Sequence, residues 1–212
     1  MTIAIISGLR YMTTVTINVK SPPHPGTEGV RVSKEKAAEN RERILLAAAR
    51  LMRERGISGA GVDALTEAAG MTHGSLYSQF GSKERLVEEA VAYAIAAKGQ
   101  EMPEVFSLSA YVSEYLSAAH RDGPGNGCPL AALCCDVSRQ SEGVRERFTA
   151  GVRGMIARLS GRMGTGLKQR QRDEAALATI ASLVGALVLA RAVNDPKLSD
   201  DILRATRKRL TQ

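Results

Sequence analysis

A chain of 212 residues with no tryptophan, 4% aromatic content and a formal net charge of +7 is long enough to bury about 70% of its unfolded surface, yet poorly supplied for an aromatic-rich sheet. Abundant alanine and leucine favour an all-α fold packed through small contacts. The basic balance is compatible with a polyanionic partner, but neither residues 34–87 nor residues 88–212 hold the excess, so charge alone does not name one. Three cysteines, an odd number, and a start, MTIAIISGLR, without the pattern of a secretory leader point to reduced thiols in a cytoplasmic protein rather than a disulfide framework.

Residues 1–32 contain the cluster SPPHPGTEG, which no helix crosses, and are read as a disordered N-terminal extension. Ser33 is placed to cap a long helix running to about Arg55. On it Ile44, Ala47, Ala48, Leu51 and Met52 repeat at three- and four-residue spacing, and Gly56 ends the run. The next stretch, GISGAGVDALTEAAGMTHGSLYSQFGSK from Gly56 to Lys83, reads as two short helices around a glycine turn. Val62, Leu65, Ala68 and Ala69 give the first an apolar face, and Gly70 follows where a left-handed residue closes a helix. Thr72 supplies an N-cap oxygen for the second, in which Leu76 and Phe80 point at the core. Its free face carries His73, Gly74, Ser75, Tyr77, Ser78 and Gln79, short or flat polar groups suited to base edges and phosphates. A tight turn between two steeply angled helices makes a helix-turn-helix, whose second helix lies in the major groove.

From about Asn40, with RERILLAAARLMRERG, through LYSQFGSKERL, the chain resembles the tetracycline-repressor (TetR) family of ligand-responsive transcription regulators. The family pattern usually has Arg or Lys near positions 73 and 78 and His at 79. It often has Thr and Ser where this chain has Ala60 and Gly61. The resemblance implies an N-terminal three-helix DNA-binding domain, residues 33–82. A C-terminal helical domain for ligand sensing and dimerisation, residues 83–212, would follow it. It places Tyr77 and Lys83 against phosphates, with Thr72 and Ser75 adding hydroxyl or backbone bonds at the positive end of the recognition helix. His73, Ser78 and Gln79 are then the base readers, Gly74 permits close backbone approach, and Arg41 and Arg43 lie where the first helix nears the DNA backbone. The alternative for the two arginines is that they are solvated helix charges.

Ser82 caps a fourth helix with Leu86, Ala90 and Ala94 on one stripe, ending around Lys98 and Gly99. An amphipathic helix from Leu108 to Ala119, the turn-rich HRDGPGNG and a short helix in CPLAALCCDVSRQ follow. Val144 to Met163 places Phe148, Val152, Met155, Ile156, Leu159 and Met163 on one side. Glu174 to Val193 is apolar nearly all round, and such a helix must be covered. These two helices from each subunit are expected to form a four-helix homodimer interface; the alternative is a helix buried within one subunit. The longest uncharged run, Ala175 to Ala190, falls short of the roughly 18 residues of a membrane span, so no membrane association is expected.

By the same resemblance, a small-molecule effector enters among the C-terminal helices and changes the spacing of two reading heads on a pseudo-palindromic double-stranded operator, releasing it. Tyr111, Tyr115, His120 and Cys128 are the candidate lining residues. Gly-Cys-Pro-Leu at 127–130 resembles a segment found in one branch of these regulators. A thiol at a helix start is a reactive thiol, so an electrophile or oxidant sensor acting through Cys128 is an alternative, against the reading of Cys128 as a small core residue. The adjacent Cys134 and Cys135 lack zinc-pair spacing and are read as packing residues. No cofactor or metal site is expected. An enzyme using Cys128 and His120 lacks an orienting group and an oxyanion element. A non-specific DNA-packaging protein fits the charge but not the ordered recognition helix.

Overall fold

The computed structural model describes residues 34–101, 107–164 and 166–212, which form ten α-helices and one 3₁₀ turn, with no strand among the described residues. The expectations for residues 1–32 and for Ser33 as a cap lie outside them. Residues 34–212 make up one unit.

Helix α1 spans Lys34–Gly59 and buries Ile44, Ala48, Leu51 and Met52. Gly56 breaks it as the sequence predicts, with φ 76° and ψ 166°. The chain does not leave the helix there. Ile57 N donates to Asp136 Oδ2 at 2.8 Å, a cap supplied from the other half of the chain, and one more turn forms. A Cβ at Gly56 would sit 2.7 Å from that carboxylate oxygen, so both the left-handed φ and the close approach require glycine.

Helix α2, Val62–Ala69, starts at Gly61 without a side-chain cap and closes at Gly70 (φ 62°), whose N–H bonds Glu67 O at 3.0 Å while Met71 N bonds Thr66 O at 2.9 Å. Its inner face differs in one place from the expected stripe: Ala68 is exposed and Thr66 is buried. Burial is tolerable because the Thr66 hydroxyl donates within its own turn, to Val62 O and Asp63 O. Helix α3, His73–Phe80, is capped by Thr72 Oγ1, which accepts from Ser75 N at 3.2 Å, and buries Leu76 and Phe80. Helix α4, Lys83–Glu101, is capped by Ser82 Oγ accepting from Arg85 N at 3.1 Å, and its Leu86, Ala90 and Ala94 are fully buried. It ends two residues past the expected Gly99, and Gly99 O accepts from Arg158, a partner invisible to local sequence.

The expected helix 108–119 is two helices, α5 at Leu108–Tyr115 and α6 at Ala118–Asp122. Ser117 Oγ accepts from His120 N at 3.1 Å and starts a new helix. A 3₁₀ turn, Pro124–Asn126, leads to α7, Pro129–Val137, then α8, Glu142–Ser160, and α9, Gln169–Ala192. Sequence reading missed α10, Pro196–Leu210. Its signals are present: Asp195 Oδ1 accepts from Lys197 N and Leu198 N, Pro196 opens the helix, and Leu203 recurs on the buried side.

One apolar cluster joins α1–α4 with Leu133 and Val137 of α7 and Val144 of α8. A second joins α5, α7, α9 and α10 around Leu116, Leu183 and Leu187, and a third ties α8 to α9 through Leu159 and Ile180. The packing therefore continues across the boundary at residue 82. Helix α9 buries Ala176, Thr179, Ile180, Leu183, Ala186, Leu187 and Ala190, yet Leu177 and Leu189 remain 49% and 57% exposed. With flanking charges tolerated, α9 is long and apolar enough to cross a membrane by length and composition. Its inner side is that of a core helix, packed on α8 and α10.

Candidate nucleic-acid interface and sensing cluster

The recognition helix presents what its periodicity implies. With Leu76 and Phe80 turned inward, Thr72, His73, Gly74, Tyr77 and Ser78 are exposed and Ser75 is half-buried. Tyr77 keeps 47% of its surface open, an unusual exposure for an aromatic ring on a packed helix. The hydroxyls serve the helix: Thr72 Oγ1 and Ser75 Oγ lie 3.2 Å apart, and Ser78 Oγ donates to Ser75 O at 2.9 Å. His73 Nε2 lies 2.8 Å from Asp63 Oδ1, so the ring is steered by α2. Gln79 is less open than expected. It is half-buried, and its Nε2 reaches Ala37 O at 3.4 Å, the long limit of a hydrogen bond. Lys83 is the first residue of α4 and has no ion-pair partner among the described residues.

The two arginines of α1 are engaged within the protein. Arg41 donates to Gln79 O and to Glu89, and its guanidinium lies 4.3 Å from the centre of the Phe80 ring. It clamps the end of α3 between α1 and α4. Arg43 donates to Ala69 O at 3.0 Å, satisfying a carbonyl at the close of α2. Both hold the reading pair rather than standing as free solvated charges.

Tyr111, Tyr115, His120 and Cys128, from α5, α6 and the start of α7, come together. The rings of Tyr111 and Tyr115 are 5.8 Å apart, and those of Tyr115 and His120 meet edge-on at 4.6 Å. His120 bridges the backbone: Nδ1 bonds Tyr115 O at 2.7 Å and Nε2 accepts from Cys128 N at 2.9 Å. That pattern requires the neutral Nδ1–H tautomer. Burial lowers the His120 pKa; Arg191 and Lys98 push the same way, while the Tyr115 carbonyl and Glu114 oppose. Burial raises the Tyr115 phenol well above its ordinary value, and the adjacent Cys128 adds to this. The Tyr115 hydroxyl is buried, and among the described residues no nitrogen or oxygen group bonds it. Because Nε2 takes the amide of Cys128, His120 is not aligned as a base for the thiol.

The cluster is wired to the reading head. Arg53 of α1 donates to Gly125 O at 2.7 Å, and Lys98 of α4 donates to Asn126 O at 3.2 Å, so the 3₁₀ turn before Cys128 touches both helices. Arg191 of α9 donates to His120 O and to Arg121 O, at 2.6 and 2.9 Å. Sequence reasoning missed Arg53, Asp136 and Arg191, since nothing local marks a charge that bonds a distant backbone. Two clefts lie elsewhere: one of about 460 Å³ between α1 and α2, beside Leu46 and Arg50, and one of about 340 Å³ between α6 and the α9–α10 corner. Among the described residues no three His, Cys, Asp or Glu side chains gather as a metal site.

Two family descriptions match the chain: "Bacterial regulatory proteins, tetR family" over residues 44–90 and "Tetracyclin repressor-like, C-terminal domain" over residues 106–206. The chain belongs to the TetR family of transcription regulators. Among characterised relatives, it is 29% identical over 138 residues to the HTH-type transcriptional repressor NemR of Escherichia coli K12, covering 61% of this chain and 69% of NemR. It is 26% identical over 161 residues to the HTH-type transcriptional regulator LmrA of Bacillus subtilis, covering 71% and 86%. The reduced form of E. coli NemR superposes with a TM-score of 0.68 at 26% identity, over 81% of this chain and 95% of that one. A TetR-family regulator from Cytophaga hutchinsonii, at 22% identity, shares the fold with a TM-score of 0.64 over 82% and 94%.

Proposed function

We propose that this DNA-binding regulator is a cytoplasmic, ligand-responsive repressor that grips a pseudo-palindromic operator as a homodimer and releases it when a small molecule occupies the C-terminal half. The observation that carries the reading is the exposed face of α3, where His73, Gly74, Tyr77 and Ser78 stand clear of a core-bound Leu76 and Phe80. His73 and Ser78 read base edges, and Gln79 joins them by giving up one long bond to Ala37. Tyr77, Thr72, Ser75 and Lys83 hold phosphates, while Arg41 and Arg43 fix the angle of the helix pair. The outer side of α9, with Leu177 and Leu189 exposed and open space at Gly185, supports pairing through α8 and α9.

The effector acts on the Tyr111–Tyr115–His120–Cys128 cluster, since any shift there moves the turn that Arg53 and Lys98 hold. It must bind one arrangement more tightly than the other, because equal affinity shifts nothing. A thiol sensor is the second reading, favoured by the place of Cys128 at the start of α7 with its amide on His120. A Cys128→Ser protein that keeps its full response to oxidants removes it.

Selection of bound DNA from a random pool tests the main reading. One symmetric half-site pair is expected, with affinity falling about 10³–10⁵-fold from low to moderate salt if six to ten phosphates are neutralised. Lys83→Ala weakens all sequences alike, and His73→Ala relaxes preference at particular base pairs, costing about 1–3 kcal/mol. Binding without any selected site would leave a packaging protein instead.

A further inference from the structure

The vicinal pair Cys134–Cys135 in the last turns of α7 was expected only to pack, but solvent reaches Cys135 and packing does not account for it. Cys135 is exposed, Cys134 is half-buried, and their sulfurs lie 3.9 Å apart. A disulfide between them is disfavoured by the backbone. Adjacent Cα atoms are held about 3.8 Å apart by the trans peptide, below the usual disulfide range of about 4.4–6.8 Å. The segment is also pinned as helix. Ser138 N bonds Cys134 O at 3.2 Å, Ser138 Oγ and Arg139 donate to Cys135 O, and Asp136 is anchored to Ile57 N.

An inserted atom removes that conflict. Two thiolate bonds of about 2.3 Å, the length found for a thiophilic centre such as zinc, span 3.9 Å at roughly 116°, so a bent centre fits with small side-chain rotations. A linear two-coordinate ion would need wider sulfurs. Zinc would need further protein ligands, and among the described residues none gather here. We propose that Cys134 and Cys135 form a chelating site for monosubstituted trivalent arsenicals, whose third, carbon ligand comes with the reagent. In the exchange R–As(OH)₂ loses both hydroxides, two As–O bonds break and two As–S bonds form. Each thiol proton leaves with a hydroxide as water, and arsenic stays trivalent. Burial, and then neighbouring Cys135, raise the Cys134 pKa, which suits an exchange that takes up thiols with their protons.

The test uses the full chain and phenylarsine oxide, read by intact-protein mass after challenge with excess monothiol or dithiol. One phenylarsenic per chain is expected, resistant to monothiol and removed by dithiol. Cys134→Ser and Cys135→Ser each lower the monothiol resistance on the order of a hundredfold, the loss expected when an intramolecular second bond is removed. Cys128→Ser leaves it unchanged. An adduct that monothiol strips from the natural chain, or one whose retention follows Cys128, overturns the site.

Discussion

The reading head and the sensing half are stabilised by different kinds of contact. Helices α2 and α3 are closed by neighbours in sequence, Gly70 on Thr66 and Glu67, Thr72 on Ser75. The C-terminal half is held to α1 and within itself by bonds across long separations: Arg53 to Gly125 over 72 residues and Ile57 to Asp136 over 79 join it to α1, and Arg191 to His120 over 71 ties α9 to α6. The turn between α2 and α3 is thus closed locally, while Arg41 and Arg43 fix the pair against α1 and α4 over 26 to 48 residues.

The comparison is broken most strongly at Phe80, where the core of the head and the Arg41 clamp meet. Phe80→Ala is expected to cost about 3–5 kcal/mol in urea unfolding, with operator binding lost in step. Gly56→Ala, at the junction, is expected to cost about 1–3 kcal/mol for the positive-φ extended backbone alone, plus the collision with Asp136. In an Asp136→Ala background the collision disappears while the backbone cost stays, so a double-mutant cycle should be non-additive. Additive losses would show that the carboxylate does not sit against Gly56.

The smallest effect is a pH dependence carried by the C-terminal half. The folded pKa of His120 lies below the unfolded value of about 6.5, chiefly through burial, so the unfolded chain binds the extra proton first. The stability this residue contributes is complete above the unfolded pKa and is lost as pH falls through the folded pKa. His120→Gln should flatten the acid limb of the melting temperature against pH. An unchanged acid limb in His120→Gln would show that His120 is not held neutral.

The helix-turn-helix was legible because each of its parts is a local rule: a glycine at positive φ, a hydroxyl three residues before an amide, apolar groups four apart. Even there the burial of Thr66 over Ala68 was not legible, since both lie near the face boundary and packing chose between them. Tyr111, Tyr115, His120 and Cys128 were found as a set, but not the bonds that join them. The split at Ser117 was written in a side chain that reads equally well as helix surface. Helix α10 carried a visible cap at Asp195 and was overlooked beside its stronger neighbours.

The residues alone determined the all-α class, the placement of the reading helix and the family, because helix periodicity, caps and a dense short motif operate within a few turns. Tertiary structure decided that α1 resumes after Gly56, that Arg41 and Arg43 turn inward, and that α9 is covered on one side only among the described residues. Those outcomes depend on which distant carbonyl or carboxylate lies opposite a given group, and burial imposes that pairing only once the helices have packed.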